Sequence, residues 1–278
     1  MKRNIYFPGL VCLITLFHSS AAFSQDDDAP VLPAFETINL IDNQTTMNPY
    51  KGSVTLQIQH RFSQISEIDD LYGIFGSANS RLGVSYGVTD KIMVGFGTTR
   101  DSKLQDLEWK LSLLTQTESK IPVSLSYHGN AVLDARGDEF FGPEQEYRFI
   151  HRMSYLSQLI VSKRFGEKTS FQLAPTFVYF NSVPEGYRNT NASVNFGARL
   201  QVFGFHSIIF EYDQPLLTAD EEVYPNLALG VEIGTSTHAF RVFVSNYSSI
   251  VRNQGIAFNA NNPFDGDYHF GFNISIRF

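Results

Sequence analysis

Residues 269–278 read HFGFNISIRF, and their reading decides the fold. Phe270, Phe272, Ile274, Ile276 and Phe278 take every second position. His269, Gly271, Asn273, Ser275 and Arg277 take the positions between. A period of two over this length is a strand with one apolar and one polar face. The alternation does not fade at the end of the chain, so the expected structure is a strand that is paired rather than a loose tail.

The same period runs back to residue 51. Val54, Leu56 and Ile58 oppose Thr55, Gln57 and Gln59. Leu82, Val84, Tyr86 and Val88 oppose Arg81, Gly83, Ser85 and Gly87. Leu107, Trp109, Leu111 and Leu113 oppose Asp106, Glu108, Lys110 and Ser112. Leu227, Leu229, Val231 and Ile233 oppose Ala228, Gly230 and Glu232. Counted through, the pattern predicts about 12 strands. Their connections sort by parity. SQISEIDDLYGIFGSAN, DARGDEFFGPEQEY, QPLLTADEEVYP and SSIVRNQGIAFNANNPFDG are long, whereas TD, FGEK, FGF and GTST are short. Short turns at one end and long loops at the other belong to a transmembrane barrel. Strands of about 10 residues also match a tilted membrane strand. An open edge in hydrocarbon would leave backbone groups unpaired, so the last strand is expected to close on the first. The fold predicted is all-β: a closed, antiparallel, up-and-down transmembrane β-barrel over residues 51–278, its short turns and N-terminus periplasmic.

The composition agrees. Hydrophobic residues make up 43% of the chain, too few for a helical membrane protein, while Phe and Tyr number 25 and 13. The net charge of −7 argues against nucleic acid, whose phosphates need a basic face. Residues 1–24 have a basic start, an apolar run and a small-residue exit. That is the pattern of a secretory signal peptide, with cleavage expected before Gln25. The single cysteine, Cys12, falls inside that run behind a poor lipobox, so neither lipidation nor a disulfide is expected. Residues 25–50, which include PAFETINLI, are read either as a periplasmic stub or as a plug in the lumen.

FETINLIDNQTTMNPYKGSVTLQIQHRF, RLGVSYGVTDKIMVGFG, LEWKLSLLTQ, SYLSQLIVSKRFGEKTSFQLAPTFVYFN and GDYHFGFNISIRF resemble a β-barrel family of unknown function from the Gram-negative outer membrane. The resemblance spans Phe35 to Phe278. It implies a fold and a location, and assigns no activity or site residue. It also implies contact with outer-membrane lipid and lipopolysaccharide, and an address for the barrel-assembly machinery in the terminal Phe278.

By parity the inward face carries Arg61, Arg81, Glu108, Lys110, His128, Arg152, Arg199, Glu211, Glu232, Arg241 and Arg277, with Arg164 in line. Two readings follow: a charge-lined path for solutes, or opposite charges that pair and fill a narrow lumen. Leu156, Ile160, Val178 and Phe180, with Ile209 and Phe243, also fall inward. Either bulges shift the parity there or an apolar lumen patch awaits a partner, for which residues 33–41 are the candidate. No hydrolase, zincin or phosphate-loop motif is present, and His60 and Arg61 are placed at the start of the first loop. The acidic outer loops match no calcium-loop pattern. The expected function is a passive channel or small-solute translocator of unknown solute. The alternatives are a structural or ligand-binding barrel with a filled lumen and, last, a barrel enzyme. No catalytic residue, cofactor or metal site is assigned.

Overall fold

The structure, a computed structural model, describes residues 28–65, 71, 73–141, 146–217 and 219–278. The signal-peptide expectation for residues 1–24, Cys12 included, lies outside the described residues. The strands are β1 (Val54–Gln64), β2 (Asn79–Thr89), β3 (Ile92–Thr99), β4 (Leu104–Leu114), β5 (Ser124–Asp134), β6 (Met153–Phe165), β7 (Thr169–Phe180), β8 (Thr190–Phe203), β9 (His206–Pro215), β10 (Asn226–Gly234), β11 (His238–Ser245) and β12 (His269–Arg277). Each pairs antiparallel with its chain neighbours, and β1 pairs with β12, so the sheet closes into a barrel. One short helix, α1 (Arg252–Phe258), lies in the connection between β11 and β12.

The seam pairs β12 with β1, in register from Thr55 to Arg61. Gln57 faces Ser275, Ile58 faces Ile274 and Gln59 faces Asn273. Beyond the strand, the Phe278 amide donates to the Val54 carbonyl at 2.9 Å, and the Val54 amide donates to the Phe278 carbonyl at 3.1 Å. The terminal phenylalanine is therefore the last rung of the closure.

The barrel is inside-out relative to a soluble protein. Leu82, Leu107 and Leu229 are 58%, 55% and 56% exposed on the outer face. Gln57, Ser85, Asp106 and Asn273 are buried on the inner one. Such a continuous outward apolar belt belongs against lipid. The inward polar parity holds through strand after strand because a strand's side chains must alternate.

Three expectations are corrected here. His60 and Arg61 do not begin a loop: both lie within β1, opposite Phe272 and Gly271. The apolar inward residues of β6, β7, β9 and β11 are not produced by bulges: their pairings run in register through those residues, and the one shift that touches these strands, between Gln201 and Phe203 of β8, lies at the strand end before Ile209. Nor do loop lengths sort by parity without exception. Residues 115–123 between β4 and β5, at the short-turn end, outnumber residues 100–103 between β3 and β4, at the long-loop end. The reason is that the 115–123 connection binds the N-terminal segment. Pro30 bridges to Thr117, and the Asp28 carboxylate accepts from the Ser119 and Lys120 amides at 2.9 and 2.7 Å.

Residues 34–45, Glu36 excepted, lie buried inside the barrel. The segment enters at the short-turn end, where the Pro33 carbonyl accepts from Arg164 at 2.9 Å. It rises to a turn at residues 40–43 and returns to Tyr50 at the same end. A bridge between Asn39 and Gln44 closes the hairpin, and the Thr45 amide donates to the Ile38 carbonyl at 2.8 Å. From the long-loop end, residues 246–259 fold inward and are largely buried, so that α1 caps the lumen opposite the hairpin.

Candidate functional site in the barrel lumen

The hairpin is held mainly by polar contacts with the wall. The Glu211 carboxylate of β9 accepts from the backbone amides of Ile41, Asp42 and Asn43 at 2.7, 3.1 and 3.1 Å. It also accepts from the Asn43 side-chain amide at 3.1 Å. On the other side, Arg241 of β11 donates to the carbonyls of Asn39 and Leu40, the latter at 3.1 Å. Asn273 of β12 donates to the Ile41 carbonyl at 2.7 Å. Lys110 of β4 donates to the Gln44 side chain at 2.8 Å and to the Ile38 carbonyl at 3.4 Å. Gln172 of β7 donates to the Gln44 carbonyl at 2.9 Å. The Asp42 carboxylate pairs with Arg61, and Gln59 donates to it at 3.1 Å. Buried polar groups demand such partners.

Apolar contacts complete the seat. Ala34, Phe35, Leu40 and Ile41 pack with Ile209, Ala228, Phe243 and Tyr247 in one buried cluster. Gly197 of β8 makes room for it: a Cβ there would come within 3.0 Å of a Leu40 methyl group. The rest of the inward apolar patch has another partner. Leu156, Val178 and Phe180 pack against Ile256 and Ala257 of α1, with Val183 and Phe258 at the edge. The expectation that residues 33–41 cover Leu156, Val178 and Phe180 is thus replaced by two fillers sharing the apolar wall. Ile160 is fully buried.

Several charges pair along the wall itself. Arg81 of β2 reaches over β3 to the Asp106 carboxylate of β4, with bonds of 2.9 and 2.5 Å, and lies 3.7 Å from Glu108. This path exists because β3 presents Gly95 and Gly97 inward; a Cβ on either would collide with Glu108 or the Arg81 guanidinium. His128 lies 3.6 Å from Glu108. Arg199 pairs with Glu232 at 2.8 Å. Three predicted lumen arginines sit at the rims instead. Arg152 ends a single 3-10 turn at the long-loop end, where it meets Asp138 and the Tyr147 hydroxyl. Arg277 and Arg164 ring the short-turn end, where Arg277 donates to the Glu36 carbonyl at 3.2 Å. They are rim residues because each stands at or beside the end of its strand.

Residues that the inward ionic set left out complete the site. Asp213 of β9 accepts from Asn43 at 3.1 Å and from Arg252 of α1 at 2.5 Å, so the hairpin and the cap share one carboxylate. Asp42 and Asn43 sit at the turn of the hairpin, within the stretch 25–50 that the sequence leaves open between a periplasmic stub and a lumen plug. Between hairpin and cap a cavity of about 30 Å³ remains, lined in part by Asp42, Arg81, Glu108, His128 and Asn253. A wider cavity of about 540 Å³ opens above it at the long-loop end, lined by Phe140, Phe141, Arg152, Tyr187 and Phe258 among others. At the opposite end the Thr117 hydroxyl, with the Ser119 and Lys120 donors, holds the Asp28 carboxyl down at about 2. Among the described residues no group of three or more His, Asp or Glu side chains could hold a metal ion.

Comparison with solved structures returns outer-membrane barrels. The KdgM porin in complex with disordered oligogalacturonate aligns with a TM-score of 0.51 at 9% identity, over 81% of this chain and 99% of that one. The NanC porin aligns with a TM-score of 0.51 at 6% identity, over 81% and 98%. Outer-membrane phospholipase A from Escherichia coli aligns with a TM-score of 0.47 at 12% identity, over 88% and 98%. At these identities the likeness to the two porins is one of fold. No curated protein sequence matches the chain. A family does match, over residues 35–278, and it covers the luminal hairpin together with all twelve strands. The chain belongs to the membrane bound beta barrel domain family (DUF5777).

Proposed function

We propose that this barrel is an outer-membrane channel for small solutes, shut at rest by its own N-terminal hairpin. The short-turn end faces the periplasm and the long loops face outward, after export and removal of residues 1–24. One observation carries the reading. The lumen is blocked by a segment that runs into the barrel at Tyr50, is clipped at residues 28–31 to the 115–123 connection by hydrogen bonds alone, and is seated largely by hydrogen bonds to a polar wall. Wall side chains that fill a lumen cannot leave it; a terminal hairpin can, because water replaces every hydrogen bond it gives up. The porin-like fold supports the same reading. Phe278, paired at the seam, is the end offered to the assembly machinery, and the outward apolar belt meets lipid and lipopolysaccharide. The role is transport without chemistry.

The test is conductance in planar bilayers. The intact chain should conduct poorly, and removal of residues 33–47 should raise the conductance severalfold. The opened pore should prefer anions, because Arg61, Arg241 and Lys110 lose the hairpin oxygens that now face them. A large, steady conductance from the intact chain would refute the resting block. Unchanged conductance after deletion would favour the filled, non-conducting barrel, since α1 also stands in the lumen.

A further inference from the structure

The wall treats the hairpin as a ligand. Three different chemistries of a peptide are read at once. Backbone N–H groups at residues 41–43 point to the single carboxylate of Glu211. Backbone carbonyls at residues 38–41 are met by Lys110, Arg241 and Asn273. The acidic side chain of Asp42 is fully buried against Arg61, with Gln59 beside it. Arg61 is in turn fixed by the Asn273 side chain at 3.0 Å and by the Phe243 ring 4.4 Å below it. Among the described residues, Arg61, Arg241, Lys110 and Glu211 form no close ion pair with another wall side chain; the ion pair of Arg61 is with Asp42 of the hairpin. Arg81 has Asp106, Arg199 has Glu232 and Asp213 has Arg252, whereas Arg241, Lys110 and Glu211 bond chiefly to the hairpin, and Arg61 divides its bonds between Asp42 and the wall's Asn273 and His60 carbonyl.

We infer that the lumen contains a binding site for a short acidic peptide, and that residues 37–45, TINLIDNQT, are its resident occupant. The inference rests on the hairpin being displaceable, as proposed above. A peptide arriving in trans reaches the site from the short-turn end, since α1 covers the other. It must carry a carboxylate at the turn to satisfy Arg61, and free amides on either side of it to satisfy Glu211. A sugar acid could meet Arg61, but it has no run of backbone amides and carbonyls to match the rest. The tethered hairpin competes at an effective concentration of about millimolar, as expected for a short linker, so a free peptide gains access only when the hairpin is weakened.

The experiment uses the full chain in detergent micelles and a fluorescent peptide, acetyl-TINLIDNQT-amide, read by anisotropy. Asp42→Asn weakens the resident hairpin without shortening it. This variant should bind the labelled peptide at least about tenfold more tightly than the unmodified chain does, reflecting one charge-assisted bond lost by the competitor. Within the same variant, a peptide with Asn in place of its aspartate should bind about tenfold more weakly, and a further Arg61→Gln change should erase that difference. Leu40→Ala, which empties part of the apolar seat and leaves Asp42 in place, is the second variant and should admit the peptide in the same way. Equal binding of the acidic and neutral peptides would overturn the proposal. So would displacement of the peptide by glucuronate at the concentration at which unlabelled peptide displaces it, because the site would then read a carboxylate alone. If removal of residues 33–47 opens a current while the peptide fails to bind, only this inference falls. If no current appears but the peptide binds, the channel reading falls instead.

Discussion

Leu40 and Gly197 offer the sharpest test of a reversible plug. Leu40 is 1% exposed, and its methyl group lies over the inward face of Gly197. Leu40→Ala removes this packing only while the hairpin is seated, because in the open state the side chain is in water. Buried leucine-to-alanine changes cost about 2–5 kcal/mol. The seated state should lose that amount, and the ratio of open to closed channels should rise by about 30-fold at the lower end. Gly197→Ala acts on the same contact from the wall. Its new Cβ would stand 3.0 Å from the Leu40 methyl and 3.6 Å from Gln172, so Leu40 must give by a fraction of an ångström. Overpacking of this kind costs about 1–3 kcal/mol, and it too should favour opening. In the double variant the alanine at position 197 faces space left by Leu40, so its effect should shrink or reverse. The two changes are therefore non-additive in a direction fixed by geometry. Open probability in planar bilayers gives the populations, and heat-modifiability on a gel verifies that each barrel is folded. If Leu40→Ala leaves open probability at the wild-type level and Gly197→Ala acts equally in both backgrounds, the seat does not control conduction.

The Thr46 and Ser162 hydroxyls are 2.6 Å apart, which suits a disulfide after Thr46→Cys with Ser162→Cys. The oxidised variant should stay shut, and reductant should restore openings; openings in the oxidised form would contradict the displacement of the hairpin. Cysteines at Asp138 and Asp220 should react with an impermeant thiol reagent on intact cells, and cysteines at Glu167 and Thr235 should not. Equal labelling at all four would reverse or void the assigned orientation. Leu107→Arg places a charge on the outer face of β4, where a cation near the membrane midplane costs about 2–4 kcal/mol, so the heat-modifiable folded band should fall. An unaffected band would mean that this face does not meet lipid. The Asp28 carboxyl, held at about 2 against its ordinary 3.8, stabilises the clip to residues 117–120 fully above about pH 4. That contribution fades as pH falls through about 2, so limited proteolysis near Asp28 should be flat from pH 4 to 8, and Asp28→Asn should raise it at neutral pH.

What could be read from the sequence follows from where each constraint is written. Strand faces are local: Leu107 and Glu108 are neighbours in the chain and must point apart. The barrel and the inward ionic set within the strands, though not the rim positions of Arg152, Arg164 and Arg277, are therefore written in the periodicity. The partners of those charges are not local. Arg81 finds Asp106 by spanning β3, and the only trace of that crossing is the inward pair Gly95 and Gly97, two missing side chains. Gly197 marks the Leu40 seat in the same way. The N-terminal segment was harder still, since IDNQ looks like any polar turn until Glu211 and Arg241 are known to lie at its height.

The inward charges alone fit an ion-paired filling and a solute path equally. What separates the two is which charges remain once wall-to-wall pairs are removed. Asp106, Glu108 and Glu232 account for Arg81 and Arg199. Arg61, Arg241 and Lys110 are left to oxygens that belong mainly to the hairpin, and Glu211 is left to its amides. A barrel whose purpose was only to be filled would gain nothing from leaving these four to a detachable segment. Replacing a buried polar cluster with apolar residues of similar volume is often neutral or stabilising. A wall that keeps three cations and a carboxylate for the hairpin proposed here to be displaceable has retained groups that become useful once the hairpin leaves. They then line a wet lumen with a net positive field, while Arg81 and Arg199 stay neutralised in place.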